Sequence, residues 1–290
     1  MAPETEKAEL IREHLGDKSS EILFEGRFAY GETGNEETIG MALRDYFLSA
    51  PEALRRDCPE LFGVMDAAFS KGTEMSGSHS GEREKNFYAG LKAIPERFTD
   101  IYNCYFDSGI IKLGSEEVFV DAGAQDLFTS YRFAQKVRKQ YRAIYAFEPS
   151  SVNFLECCAN RELFDGRLFL SQTALNDREG EIGFMEDRQN SHPDQSGSTK
   201  VPSDSLDHLL ADAPPPTFLK LHLEGAELAA LKGAGNIISQ YRPKIAVCVD
   251  HRKDDVLRIP LLLLELVPEY RFYFRHYSSS ITETVLYSVL

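Results

Sequence analysis

Two acidic residues in this sequence stand at a spacing that suits nucleoside chemistry. Asp121 closes the apolar run Glu117-Val-Phe-Val-Asp121 and leads into Ala122-Gly123-Ala124-Gln125. Glu148 follows 27 residues later, in Ala146-Phe147-Glu148-Pro149. An acid at the end of a second parallel strand can accept the hydroxyls of a ribose, and a glycine after the first strand lets backbone approach a ligand closely. A second cluster lies in Thr217-Phe-Leu-Lys-Leu-His-Leu-Glu-Gly-Ala-Glu-Leu, where Lys220, His222, Glu224 and Glu227 surround Gly225. His251 ends a further apolar run. Imidazole titrates near neutrality, so His222 and His251 are the two candidates for a general base acting on a hydroxyl, with Glu224 and Glu227 as partners for substrate hydroxyls. Each has a plain structural alternative. His222 could fill space under a helix beginning near Gly225; His251 could precede a helix favoured by Asp254 and Asp255; the two glutamates could complement a helix dipole. Histidines beside acids also permit a divalent metal, but no H-x-H or H-x-x-x-H spacing supports one, and none is expected.

The elements that must position these residues are legible from apolar patterning. Short runs rich in Val, Ile, Phe and Tyr alternate with helical periodicity after Asp100, the texture of a parallel α/β sheet. Strands are expected at Glu117–Asp121, Ala143–Phe147, Arg167–Ser171, Thr217–Leu223 and Lys244–Val249. Their nearly continuous apolar character implies that both faces are covered. Tyr270–Tyr277 and Glu283–Val289 are separated by only Ser278–Thr282, which demands an antiparallel hairpin. Ahead of this, Ala8–Leu15 and Thr38–Phe62 read as amphipathic helices, and Ser70–Glu84 has the turn chemistry of a linker or mobile loop. The chain therefore divides into a helical N-terminal segment, 1–100, and an α/β domain, 101–290. Asp187–Pro202 is turn-rich and long enough for a substrate-gating loop.

Composition narrows the classes of partner. Of 290 residues, 46 are acidic and 32 basic, a net charge of −14, which gives no general attraction to nucleic acid or anionic lipid. Residues 1–100 carry −8 of it and the remainder −6. Five cysteines without a C-x-x-C pair indicate neither a disulfide framework nor a zinc knuckle, so a reducing compartment is expected. With no apolar leader and no run near 20 apolar residues, the reading is a soluble, cytoplasmic protein.

Five parallel strands followed by an antiparallel pair is the order of class I methyltransferases. Gly123 alone cannot form the phosphate cradle of an NAD-dependent oxidoreductase, whereas S-adenosyl-L-methionine carries no phosphate. The segments D-A-G-A at 121–124, Y-A-F-E-P at 145–149, S-L-D at 205–207, L-K-L-H-L-E-G-A-E-L at 219–228 and L-K-G-A at 231–234 together resemble the FkbM-type S-adenosylmethionine-dependent methyltransferases. The likeness runs from about Tyr105 to the C-terminus. It implies a Rossmann-like doubly wound sheet with a terminal hairpin. It also implies that Asp121, Gly123 and Ala124 line the methionine and ribose side, that Glu148 binds the ribose, that Thr173 and Ala174 border adenine, and that Lys220 lines the mouth. The implied reaction is O-methylation of a small-molecule or saccharide hydroxyl. Two positions depart from the family pattern: Leu127 stands where D-x-G-A-x-x-G ends in Gly, and His222 where K-x-D-x-E-G has an acid. They prompt an alternative, a catalytically silent relative serving binding or assembly. The acidic front segment suits capping of the site, homodimer formation or carrier binding.

Overall fold

The computed structural model describes residues 4–48, 104–185, 192–193, 197, 199–278 and 281–290. The boundary placed near residue 100, the linker at Ser70–Glu84, the second half of the helix expected over Thr38–Phe62 and much of the loop at 187–198 lie outside them.

Three helices open the chain: α1 (Glu4–Arg12), α2 (Lys18–Thr33) and α3 (Glu36–Leu48). The α/β part follows as β1 (Val118–Ala122), α4 (Phe128–Lys136), β2 (Ala143–Phe147), α5 (Ser151–Asn160) and β3 (Leu168–Ser171). After it come β4 (Ala174–Leu175), β5 (Gly180–Met185), β6 (His192–Pro193), β7 (Thr199–Asp204) and the short helix α6 (Leu206–Leu209). The chain finishes with β8 (Phe218–Leu221), α7 (Glu227–Lys232), α8 (Gly235–Tyr241), β9 (Lys244–Cys248), α9 (Asp255–Leu266), β10 (Arg271–His276) and β11 (Thr284–Val289).

The main sheet has the order β10-β11-β9-β8-β1-β2-β3. Strands β3, β2, β1, β8 and β9 are parallel, and β11 runs antiparallel between β9 and β10. All five residues of β1 and all four of β8 are buried, which explains why these runs show no polar alternation. One face packs on α1–α3, α7, α8 and α9. The other packs on residues 104–111, α4 and α5, where the Phe119 and Phe133 rings stack at 4.4 Å and Phe218 lies 5.2 Å from Phe119. The expected doubly wound sheet with its terminal hairpin is what the structure shows.

Two features depart from the sequence reading. The helix α2 has Ile22, Leu23, Phe24, Phe28 and Tyr30 spread around its circumference, so it lacks the one-sided stripe that reveals a surface helix. It is pressed between α3 and β10 instead. Gly26 allows this: a Cβ there would meet the Ala42 Cβ at 2.1 Å. The second departure is a four-stranded sheet, β4-β7-β5-β6, which includes part of the stretch read as loop and carries its own small core of Ala174, Phe184 and Val201.

The open edge of β10 is covered by the turn between α1 and α2. Gly16 N–H donates to Phe272 O and Phe272 N–H to His14 O, each at 2.8 Å, and Phe274 N–H donates to Ser20 Oγ at 3.0 Å. Asp17 caps α2 by accepting from Ser20 N–H at 2.9 Å and pairs with Arg275 at 2.6 Å; Arg275 also reaches Asp107 at 3.2 Å. Burial opposes the Asp17 charge, but Arg275 and Ser20 outweigh it and hold the carboxyl below its ordinary value of 3.8. A depressed folded value contributes stability that is complete above 3.8 and lost as pH falls through the lower, folded value. Asp17→Ala should therefore cost about 1–2 kcal/mol at neutral pH. Urea denaturation of wild type and variant should show this gap shrinking on acidification below the ordinary value; a gap independent of pH would contradict the assignment.

Candidate active site

The carboxyl ends of β1, β2 and β8 open into a cleft of about 600 Å³, with residues 123–126, Glu148, His222 and Glu224 in its walls. The small sheet contributes Ala174, Leu175, Phe184 and Pro193 as an apolar side. This volume lies within the range of small-molecule sites, roughly 300–1,000 Å³.

Beneath the cleft floor, register pairs Asp121 of β1 with Lys220 of β8. Both are buried, and Lys220 Nζ lies 3.0 Å from Asp121 Oδ1. Lys220 also donates to Ala122 O at 3.2 Å and Gly123 O at 2.8 Å, so the ammonium is tied to the loop as well as to the carboxylate. Ser130 Oγ donates to Asp121 Oδ2 at 2.7 Å. Asp121 thus lies under the loop rather than on the cleft surface. Its side chain fixes the loop from below instead of lining the methionine side, whereas Lys220 both holds the loop and borders the cleft. The physical reason is strand geometry: in register, both side chains share the interior between β1, β8 and α4.

Gly123 adopts φ +78°, and a Cβ there would fall 2.0 Å from His222 O, so the β1 and β8 loops touch through it. Gly123 and Ala124 N–H both donate to Phe147 O, at 3.0 and 3.1 Å. Gln125 N–H donates to Glu148 Oε2 at 2.8 Å, Leu127 N–H to Ala124 O at 2.8 Å and Phe128 N–H to Asp126 Oδ1 at 2.9 Å. The amides of Gly123, Ala124, Gln125, Leu127 and Phe128 are thereby used within the chain. Leu127 keeps a left-handed backbone at φ 68° while its side chain packs in the core, away from the cleft. The Leu127 side chain therefore does not intrude on the cleft.

Glu148 lines the cleft and also accepts from Ser150 N–H at 2.9 Å. Burial raises its pKa, partly offset by those backbone donors, Lys220 and Asn153. Ala174 borders the cleft; Thr173 does not, its hydroxyl instead meeting Ser171 Oγ at 2.9 Å.

At the other end, His222, Glu224 and His251 converge from the ends of β8 and β9. His222 Nε2 and His251 Nε2 lie 3.3 and 3.4 Å from the two oxygens of Glu224, and the imidazoles are 5.0 Å apart. His222 Nδ1 shares a 2.6 Å hydrogen bond with the Tyr105 hydroxyl. His251 Nδ1 pairs at 2.7 Å with Glu227, which is fully buried and accepts from Leu223 and Gly225 N–H at 2.7 and 2.9 Å. Burial opposes charge on His251, but Glu227, Asp250 and Glu224 prevail and raise its pKa to about 9. His251, expected as a candidate base, does not line the cleft, and its Nδ1 is taken up by the buried carboxylate behind it. His222 and Glu224 face the cleft, whereas His251 stands behind Glu224.

Sequence reasoning missed Tyr105, Arg132 and Glu283, all of which line the cleft. One signal is structural: Tyr105, Gln125, Glu224 and Glu283 all adopt positive φ and all border the cleft, a concentration of local strain that ordinary packing does not require.

A central sheet of this order with its cleft at the carboxyl strand ends defines a class I methyltransferase fold. The methyltransferase FkbM domain matches residues 121–278, more than half of the chain, and the chain belongs to that family. A methyltransferase FkbM from Methylobacillus flagellatus KT is similar in structure, with 20% identity and a TM-score of 0.57 over 81% of this chain; the present chain spans 60% of that protein. A precorrin-6y C5,15-methyltransferase from Geobacter metallireducens GS-15 is 13% identical, with 61% of this chain and 80% of that one covered at a TM-score of 0.38. No curated protein matches the chain in sequence. Among the described residues no helix is long and apolar enough to cross a membrane.

The Asp121–Lys220 pair supplies a test of this geometry. Asp121→Ala leaves a buried ammonium unpaired and should cost about 3–5 kcal/mol in chemical denaturation. A loss under about 1 kcal/mol would show that the pair does not support the loop.

Proposed function

We propose that this chain transfers a methyl group from S-adenosylmethionine to a hydroxyl oxygen of a small polar molecule or saccharide. The observation that carries the reading is Glu148. A carboxylate offers about four acceptor positions, and its fixed backbone donors leave capacity for a sugar hydroxyl at the cleft wall. The residues fit the cofactor in polarity as well: Ala174, Leu175 and Phe184 give a purine an apolar wall. A loop with most of its amides already bonded has little to offer a pyrophosphate, which disfavours the nicotinamide alternative.

When bound, S-adenosylmethionine supplies an electrophilic methyl carbon on a cationic sulfonium, so the protein's share is alignment, exclusion of water and removal of a proton. Glu148 would hold the ribose. His222 and Glu224 form the cleft-facing polar end, where an acceptor hydroxyl would dock and give up its proton. His251, held by Glu227, orients Glu224 and acts as a positioning residue. The net charge of −14 and the polar cleft end favour an uncharged or mildly cationic acceptor over nucleic acid.

Calorimetric titration with S-adenosylmethionine tests the reading. Glu148→Ala should weaken binding by about 10–100-fold, as expected for a lost hydrogen bond to a charged group. Glu148→Gln, which retains one acceptor oxygen, should lose less, and circular dichroism should show both variants folded. Wild-type protein that takes up no S-adenosylmethionine would instead support the silent relative as a binding or assembly module.

A further inference from the structure

We infer that His222, Glu224 and His251 form a binding site for a divalent transition-metal ion of the zinc(II) or iron(II) class, at the end of the cleft where the acceptor docks. The donor atoms of these three side chains lie within 4.8 Å of one another. The N–O separations of 3.3 and 3.4 Å match the edge of a tetrahedral site, which is about 3.3 Å for bonds of roughly 2.0–2.1 Å.

What lies behind the donors strengthens the case. A ligating histidine generally presents one ring nitrogen to the metal while a carboxylate or other polar group holds the second. Both histidines have this arrangement: each turns Nε2 toward Glu224, while Nδ1 is held by Tyr105 in one case and by the buried Glu227 in the other. The surroundings are also rich in carboxylates, with Glu227 and Asp255 both buried next to the cluster. Two imidazoles and one carboxylate suit a borderline ion better than magnesium or calcium, which prefer oxygen donors.

Such a site leaves coordination positions open toward the cleft, because His222 and Glu224 are wall residues. For its role in catalysis the inference rests on the transferase reading: an acceptor hydroxyl would occupy an open position, where the cation lowers its pKa. The imidazoles then act as ligands, any proton on a ligating Nε2 being displaced by the ion to solvent, and the hydroxyl proton also leaves to solvent.

The test is cobalt(II) titration of the full-length, chelator-stripped protein, followed by its visible d–d absorption. One equivalent should bind with nitrogen and oxygen ligation, and zinc(II) should displace it. His222→Ala, His251→Ala and Glu224→Gln should each weaken binding by about a hundredfold or more, and Glu227→Gln by about tenfold. Glu224 is partly exposed, so its variant should stay folded if a histidine variant does not. Absence of cobalt uptake, uptake unaffected by Glu224→Gln, or a thiolate charge-transfer band from Cys248 would overturn the site. S-adenosylmethionine uptake is measured in parallel on the stripped protein. Cofactor binding without cobalt binding removes the metal site and leaves the transferase; cobalt binding without cofactor binding does the reverse.

Discussion

The ion pair between Asp121 and Lys220 is the constraint on which the cleft depends. Two buried charges are tolerable only if each has an opposite partner, and parallel register sets them directly opposite on β1 and β8. The remaining protons of Lys220 then fall on the carbonyls of Ala122 and Gly123, so the same cation that neutralises Asp121 also shapes the loop above it. That shape passes outward. Gly123 and Ala124 donate to the end of β2, and Gln125 is left to donate to Glu148. The orientation of Glu148 is therefore set from the sheet interior.

A loop held this way differs in electrostatic character from one that binds phosphate. Amides at a helix N-terminus attract anions only while their protons are free. Here α4 begins after a left-handed Leu127, and the preceding amides already serve Phe147, Glu148, Ala124 and Asp126. Acids outnumber cations in the cleft lining, with Asp126, Glu148, Glu224 and Glu283 against Arg132 and Lys220. Such an environment suits hydroxyl groups and a positive centre.

How much of this was readable in one dimension follows from how far each relation extends along the chain. Buried parallel strands need apolar residues on both faces, so β1, β2, β8 and β9 announced themselves as short continuous runs. The five residues between the last two strands permitted only a hairpin. Glu148 could be found because one βαβ unit fixes its distance from Asp121. The inward placement of Asp121 was not readable, since an acid ending an apolar strand looks the same whether it faces a ligand or a lysine. Nor was α2, whose apolar residues encircle it, or the small sheet, whose pieces are as short as two residues. Tyr105 reaches His222 across 117 positions, a contact created by tertiary packing alone.

The meeting of His222 with His251 shows most clearly what spacing rules miss. Metal and base motifs recognised from sequence place their residues one helical turn or one strand step apart, whereas these histidines are separated by 29 residues and a complete α/β crossover. The sheet brings them together because β8 and β9 are parallel neighbours, so residues just beyond their carboxyl ends are adjacent whatever lies between. Glu224 completes the group by a local device. It takes φ 50° and Gly225 follows at φ 94°, reversing the chain so that the Glu224 carboxylate lies against both imidazoles while Glu227 begins α7 behind them. A left-handed glutamate costs about 1–2 kcal/mol. The same backbone turn that carries this cost puts the carboxylate within 3.3 and 3.4 Å of the two imidazoles, so the strained residue and the convergent histidines are parts of one arrangement.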